Sequence, residues 1–306
     1  MRVRVLGSAA GGGFPQWNCN CRNCSGVRNR TVRAAPRTQS SIAVCGRDGT
    51  RWALVNASPD VLVQLRANAA LHAGRARRDS AIAGIVLVDG QIDHTIGLLM
   101  LRESSTALPV WCTDEVCADL SGGNPIFGVL AHYCGVERHR VEPDSRAFAV
   151  SGVDGVIWRA LAVAGKAAPY SPHRESPVPG DNIALIIGEE TSGRTIVYAP
   201  GVGAIQEELW HAMQAAACVL IDGTFWSDDE MLALGVSRKH ARDLGHLPQS
   251  GERGMLEWLE RLPRHTRRIL IHVNNTNPIL DEDSAERAEL VRRGIEVATD
   301  GLEISA

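Results

Sequence analysis

The sequence predicts an α/β fold of the α+β kind, with two mixed sheets packed on each other and flanked by helices. Three observations predict it. Short apolar runs with strand character recur along the chain. They cluster early in each half, and helical patterns follow them, which suits packed sheets better than a regular βαβ array. The second half repeats the grammar of the first with no low-complexity linker and no short-period repeat, so 1–306 reads as a single domain.

The elements follow in order. RVRVL (2–6) alternates and reads as a strand. SSIAVCG (40–46) and WALVNA (52–57) read as a hairpin pair around the polar turn Arg47-Asp48-Gly49-Thr50. Ser58-Pro59-Asp60 starts a helix with Val61, Leu62, Leu65 and Ala69 on one face, Pro59 suiting its first turn. IAGIVLV (82–88) is continuously apolar, the mark of a strand buried on both faces. The polar loop DGQIDH follows it, and TIGLLMLR (95–102) looks helical. In the second half, VIWRALAV (156–163) and NIALIIG (182–188) are strands joined by the Pro-rich surface segment PYSPHRESPVPG (169–180). TIVYA (195–199), CVLID (218–222) and RILIHVN (268–274) are strands. IQEELWHAMQAA (205–216), MLEWLERL (255–262) and SAERAELVRRG (284–294) are helices, the last closed by Gly294. IEVATDG (295–301) ends the chain as a strand and turn.

Composition narrows the function classes. The chain is 44% hydrophobic, enough for a full core, and carries a net charge of −3 from 32 basic and 35 acidic residues. No basic block gives an electrostatic footprint for nucleic acid, and Arg75 to Arg78 reads as a solvated helix end or loop. The N-terminus lacks the apolar core of a signal peptide, and no apolar run approaches a membrane span. A cytoplasmic protein without nucleic-acid or membrane partners is expected.

Cysteines and histidines carry the chemistry. Cys19, Cys21 and Cys24 lie in a loop-like segment at about 17–26. Three clustered thiolates suit one tetrahedral Zn²⁺, which needs a fourth ligand from elsewhere. A closed site of that kind is structural rather than catalytic. Trp17 and Phe14 beside it read as packing residues, and Cys45, Cys112, Cys117, Cys134 and Cys218 as small core residues. Asp93-His94 sits in the loop past an apolar strand, where α/β sites form. Alone, the pair is better read as a helix cap at Asp93 with His94 exposed. His272 ends another apolar strand, and Asn274, Asn275 and Asn277 follow in a structured loop. Asp222 ends CVLID, placed to orient a ligating histidine or simply to turn the chain. His246, in DLGHLPQS, lies in a loop and can approach either metal site. His173 lies in the Pro-rich segment, and His72, His132, His139, His211, His240 and His265 read as ordinary helix or loop residues. GSAAGGG (7–13) lacks phosphate-loop spacing and reads as a tight turn passing close to a metal site.

DGQIDHTIGLL, LIDGTF and LIHVNN together resemble the metallo-β-lactamase superfamily, whose fold is an αββα sandwich. GSAAGGGFPQWNCNCRNC, APYSPHR, PGDNIALII, the GHL and QSG stretch and HVNNTNPILDEDS resemble more closely its B-protein (PqqB) family of pyrroloquinoline quinone biosynthesis, from Val5 nearly to the C-terminus. Hydrolases of the superfamily carry His-x-His-x-Asp-His in the metal loop. Here that frame reads Asp89-Gly90-Gln91-Ile92-Asp93-His94, so both histidines of the first metal are replaced. A later motif histidine falls near Lys166 and a bridging aspartate near Pro200. What the resemblance leaves is Asp93, His94 and His272, two histidines and a carboxylate with open positions, as in non-haem Fe(II) oxygenases.

The resemblance therefore implies an Fe(II)- and O₂-dependent hydroxylase acting on the tyrosine ring of a glutamate–tyrosine precursor. Asp89, Gln91, Asp222 and His246 would serve as second-shell or substrate-contacting groups, beside a structural Zn(II) at Cys19, Cys21 and Cys24. The fourth zinc ligand is Asn275, where related phosphodiesterases place a histidine, or else His246. Two other readings are a two-metal hydrolase such as a phosphodiesterase and a non-catalytic carrier of the quinone or its precursor. A homodimer and a lid role for 169–180 are left open.

Overall fold

The computed structural model describes residues 1–305. The first half supplies strands β1 (Arg2–Gly7), β2 (Ser41–Cys45), β3 (Trp52–Val55), β4 (Ile82–Val86), β5 (Leu108–Cys112) and β6 (Val136–Arg140). The second supplies β7 (Asp144–Phe148), β8 (Val156–Ala162), β9 (Ile183–Glu189), β10 (Thr195–Ala199), β11 (Cys218–Asp222), β12 (Arg267–Ile271) and β13 (Ile295–Val297), and the chain ends in β14 (Glu303–Ser305). They form two seven-stranded sheets, ordered β14-β1-β2-β3-β4-β5-β6 and β13-β12-β11-β10-β9-β8-β7.

The repeated grammar of the sequence is a repeated topology. Each half lays down antiparallel strands first, β1 to β3 and β7 to β10, and then adds parallel ones. The parallel portions, β3 to β6 and β10 to β13, need crossovers, and helices supply most of them. The expectation of sheets without a βαβ array thus holds for only part of each sheet.

Alternation along the strands decides the layers. Ile42 and Val44 of β2, Val55 of β3, Leu220 of β11 and Ile269 and Ile271 of β12 meet between the sheets, around Trp158 and Tyr198. Their neighbours point the other way. Ala43 and Leu54 pack under the helices of the first half, and Val219, Ile221 and Leu270 under those of the second. Both faces of the central strands are covered, so they read as unbroken apolar runs. Each fully buried Ile, Leu or Val contributes about 1.5–3 kcal/mol. The result is the αββα sandwich.

Several local expectations change. The helix at Val61–Ala67 buries Val61 and Gln64, while Leu62 is exposed. Gln64 wins that face because its amide donates to Thr38 Oγ1 and to the Gln39 carbonyl, at 3.0 and 2.8 Å. The 95–102 segment is a helical turn, Ile92–Thr95, running into a 3₁₀ stretch, Ile96–Leu101. β5, β6 and β7, with the helices Asp114–Ser121 and Ile126–Leu130, have no counterpart in the sequence reading. Pro109 obscures β5, and β6 and β7 are charged and largely exposed, which hides their strand character. His139 belongs to β6 and stacks on Trp111 with ring centroids 4.1 Å apart. No helix among the described residues is long and apolar enough to cross a membrane.

Candidate metal centre

The site forms where the parallel strands of both sheets end. Asp93 and His94 lie in the helical turn after β4, Asp222 is the last residue of β11, and His272 follows β12 directly. These are carboxyl ends of strands, where backbone leaves the sheet and side chains can converge. The Asp93-His94 segment is thus one helical turn rather than a free loop. His272 leaves the strand with φ of 62°, a left-handed conformation costly for a residue with a Cβ. It is held there by neighbouring amides: Val273 N–H donates to Ser8 O and Asn274 N–H to Thr224 O, at 2.9 and 3.1 Å. Strain held by surrounding structure is typical of functional positions.

Each histidine is anchored through one ring nitrogen, leaving the other for the centre. His94 Nδ1 lies 2.8 and 2.9 Å from the two oxygens of Asp89. His272 Nδ1 meets the Thr224 hydroxyl at 2.9 Å. Their Nε2 atoms face Asp93, whose Oδ2 is 3.2 Å from His272 and 3.9 Å from His94. His94 Nε2 is buried and has no hydrogen-bond partner in the chain. A buried, unpartnered imidazole nitrogen aimed at a carboxylate and a second imidazole is what a metal ion satisfies, so Asp93, His94 and His272 fit one. Their ligand atoms lie within 4.8 Å of one another. The glycine-rich N-terminal loop passes over this point: a Cβ on Gly11 would sit 3.2 Å from Asp93 Oδ2.

A second layer surrounds these three. Asp222 Oδ2 accepts from His246 Nδ1 at 2.7 Å, and Asp222 Oδ1 accepts from the Thr224 hydroxyl at 2.6 Å. The His246 ring stacks on that of His272, with centroids 5.5 Å apart. Burial disfavours charge on His94, yet Asp89 and Asp93 outweigh it and push the imidazole up to about 9. Burial also works against the Asp93 and Asp222 carboxylates, but the adjoining histidines hold both below the usual range. Three carboxylates among three imidazoles favour a cation, and a metal at Asp93, His94 and His272 would displace the proton that His94 otherwise holds.

The positions of a first metal look different. Asp89 is engaged with His94 and also accepts from the Gln91 N–H at 2.9 Å. The Gln91 amide donates to the Lys166 carbonyl at 3.1 Å. Asp89, Gln91, Lys166 and Gly201 line one cavity of about 390 Å³ together with Asp93, His94, His246 and His272. Lys166 thus faces the same cavity as the expected ligands, and Gly201, next to Pro200, lines it too.

The cysteine cluster is built on a helix. Cys21 caps the helix Arg22–Asn29, its sulfur accepting from Cys24 N–H, so Cys24 is helical rather than in a loop. The three sulfurs lie within 4.8 Å of one another, near the spacing of about 3.8 Å that a tetrahedral zinc imposes. Asn275 completes the group, its side-chain amide 3.1, 3.7 and 3.4 Å from the sulfurs of Cys19, Cys21 and Cys24. His246 packs with Asp222, Thr224 and His272 instead, so of the two expected partners only Asn275 stands at the sulfurs. Burial pushes the Cys24 thiol up to about 11, so metal would have to hold it as thiolate. Phe14 is buried as expected, but Trp17 is 86% exposed and packs nothing.

Two residues outside the sequence reading matter here. Thr224 contacts Asp222, His246 and His272 at once, and its signal was its place in LIDGTF, two residues past Asp222. Asn23 donates to the carbonyls of Asn275 and Asn277, tying the cysteine helix to the loop after His272.

The family model of a β-lactamase superfamily domain matches residues 51–273. The chain is 61% identical over 305 residues to the coenzyme PQQ synthesis protein B of Azoarcus sp. (strain BH72), covering 100% of both. Among solved structures it is similar to Zn²⁺-bound PqqB from Methylobacterium extorquens, with TM-score 0.90, 37% identity and 100% of both chains covered. A diphosphatase of the PhnP family matches with TM-score 0.69 and 18% identity over 100% of this chain and 97% of that one, a likeness of fold alone.

Proposed function

Because this chain belongs to the coenzyme PQQ synthesis protein B family, within the β-lactamase superfamily, we propose that it serves pyrroloquinoline quinone biosynthesis as an Fe(II)- and O₂-dependent hydroxylase. Its substrate would be the tyrosine ring of a glutamyl-tyrosine precursor. The observation that carries the reading is the centre itself: the free His94 Nε2, His272 Nε2 and Asp93 Oδ2 offer three ligands and leave other positions open. Iron held there would supply the redox chemistry with O₂, one oxygen atom entering the ring and the other leaving as water, with two electrons from an external reductant.

The chain's own residues do the rest. Asp89 and Thr224 fix the two ligating rings through their Nδ1 atoms. Asp222 holds His246 by Nδ1, leaving Nε2 to accept the phenolic proton of the substrate. The Tyr170 hydroxyl donates to the Gly90 carbonyl and pins the Pro-rich segment against the metal loop, so that segment walls the cavity and limits water. A two-metal hydrolase is disfavoured because Asp89 and Gln91 are already bonded within the protein and Lys166 stands in the same cavity.

The test is turnover. Anaerobic Fe(II)-loaded protein, given glutamyl-tyrosine, ascorbate and then air, should yield a catechol heavier by one oxygen. His94→Ala and His272→Ala should abolish it. Equal conversion by Zn(II)-loaded protein, which has no redox chemistry, would sink the proposal. Cofactor production in cells that survives both substitutions would favour a carrier, and two catalytic ions with phosphodiester turnover a hydrolase.

A further inference from the structure

The metal cavity carries two cationic side chains that the metal centre does not use. Lys166 and Arg174 both line it. Neither forms an ion pair among the described residues, although the chain holds more acidic than basic groups. The carboxylates that line the cavity have other partners: Asp89 is bonded to His94, and Asp93 faces His94 and His272. The Lys166 backbone and the Arg174 side chain are held in place. The Lys166 carbonyl accepts from Gln91 at 3.1 Å, and its backbone lies against Gly245, where a Cβ would come within 2.7 Å of Lys166 N. Gly245 has φ of +91°, so that position excludes a side chain on conformational grounds as well. Arg174 gives one guanidinium N–H to the Ala167 carbonyl, which steadies it and leaves its other N–H groups free. Phe225, Met231 and Leu244 give the same cavity an apolar surface.

We propose that Lys166 and Arg174 are the specificity-determining residues of this cavity and bind the carboxylates of an aromatic dicarboxylate, one at each cation. This rests on the reading of the site as one for a glutamyl-tyrosine precursor and names the groups that would recognise it. Two half-buried cations without internal partners are costly unless the ligand supplies the matching charge, and the arginine fork suits a carboxylate bidentately. A volume of about 390 Å³ lies in the range that encloses a ligand of this size.

Calorimetry on Zn(II)-loaded protein separates this inference from the question of turnover. The probes are glutamyl-tyrosine, its diamide and glutarate. Lys166→Gln and Arg174→Gln should each weaken glutamyl-tyrosine and glutarate by about tenfold or more. Diamide binding should stay at the wild-type level, and Lys166→Arg should restore most of the loss. If glutarate binds in this charge-dependent way and glutamyl-tyrosine does not, the carboxylate site stands and the proposed substrate falls. Variants that bind both dicarboxylates like wild type, or that weaken diamide and dicarboxylates equally, would overturn the assignment, as would a wild-type protein that binds neither dicarboxylate.

Discussion

Thr224 shows how much one small side chain organises. Its hydroxyl lies 2.6 Å from Asp222 Oδ1, 2.9 Å from His272 Nδ1 and 3.1 Å from His246 Nδ1, so a single oxygen sets the orientation of two rings. Removing such an outer contact costs about 10–100-fold in metal affinity. Thr224→Val keeps the shape and loses the hydroxyl, so its active-site metal should bind about that much more weakly in a competitive chelator titration. Thr224→Ser should stay near wild type. Unchanged affinity in the valine variant would mean that backbone alone orients His272. Asp89 plays the matching part for His94, its two oxygens 2.9 and 2.8 Å from Nδ1.

At the scale of elements, the helix Arg22–Asn29 depends on its cysteines more than on its apolar face. It is eight residues long, and only Asn23, Cys24 and Gly26 are buried. So short a helix does not hold itself in water. Its anchors are the sulfur cluster around Asn275 and the Asn23 bonds to the same loop. Cys21→Ser should therefore lower zinc content by one equivalent and lower the melting temperature by about 2–4 °C per kcal/mol lost. The folded variant should still bind the active-site metal, since Asp93, His94 and His272 lie outside the cluster. Full zinc content at full stability would remove the cluster as a staple. Because Asn275 stands three residues after His272, loss of zinc should also speed amide exchange in 272–277.

The active-site metal has a consequence for the whole molecule. Asp93 and His94 follow a strand of the first sheet and His272 follows a strand of the second, so one ion would tie the two sheets together at their ends. A ligand that binds only the folded state stabilises it by mass action, by about 2.7 kcal/mol at a hundredfold excess over Kd. Loading the centre should raise the melting temperature of protein that already holds its cysteine-bound zinc. His94→Ala should show no such rise. An equal rise in that variant would place the stabilising ion elsewhere.

The sequence by itself determined the layers and the candidate ligands. Short apolar runs marked most of the strands, and Asp93, His94 and His272 stood out as ligands through the resemblance of DGQIDH and LIHVNN to the superfamily's metal loops. Local pattern carries that much because strand periodicity is a local property. It did not reveal β5 to β7, where a proline and exposed charge mask the strands, or the burial of Gln64 over Leu62, which hydrogen bonds to Thr38 and Gln39 decide. Only the tertiary structure chose between Asn275 and His246 at the sulfurs, and set Thr224 between three groups. Those contacts join residues far apart in the chain, and their partners are chosen by how the two sheets pack, which no local spacing encodes.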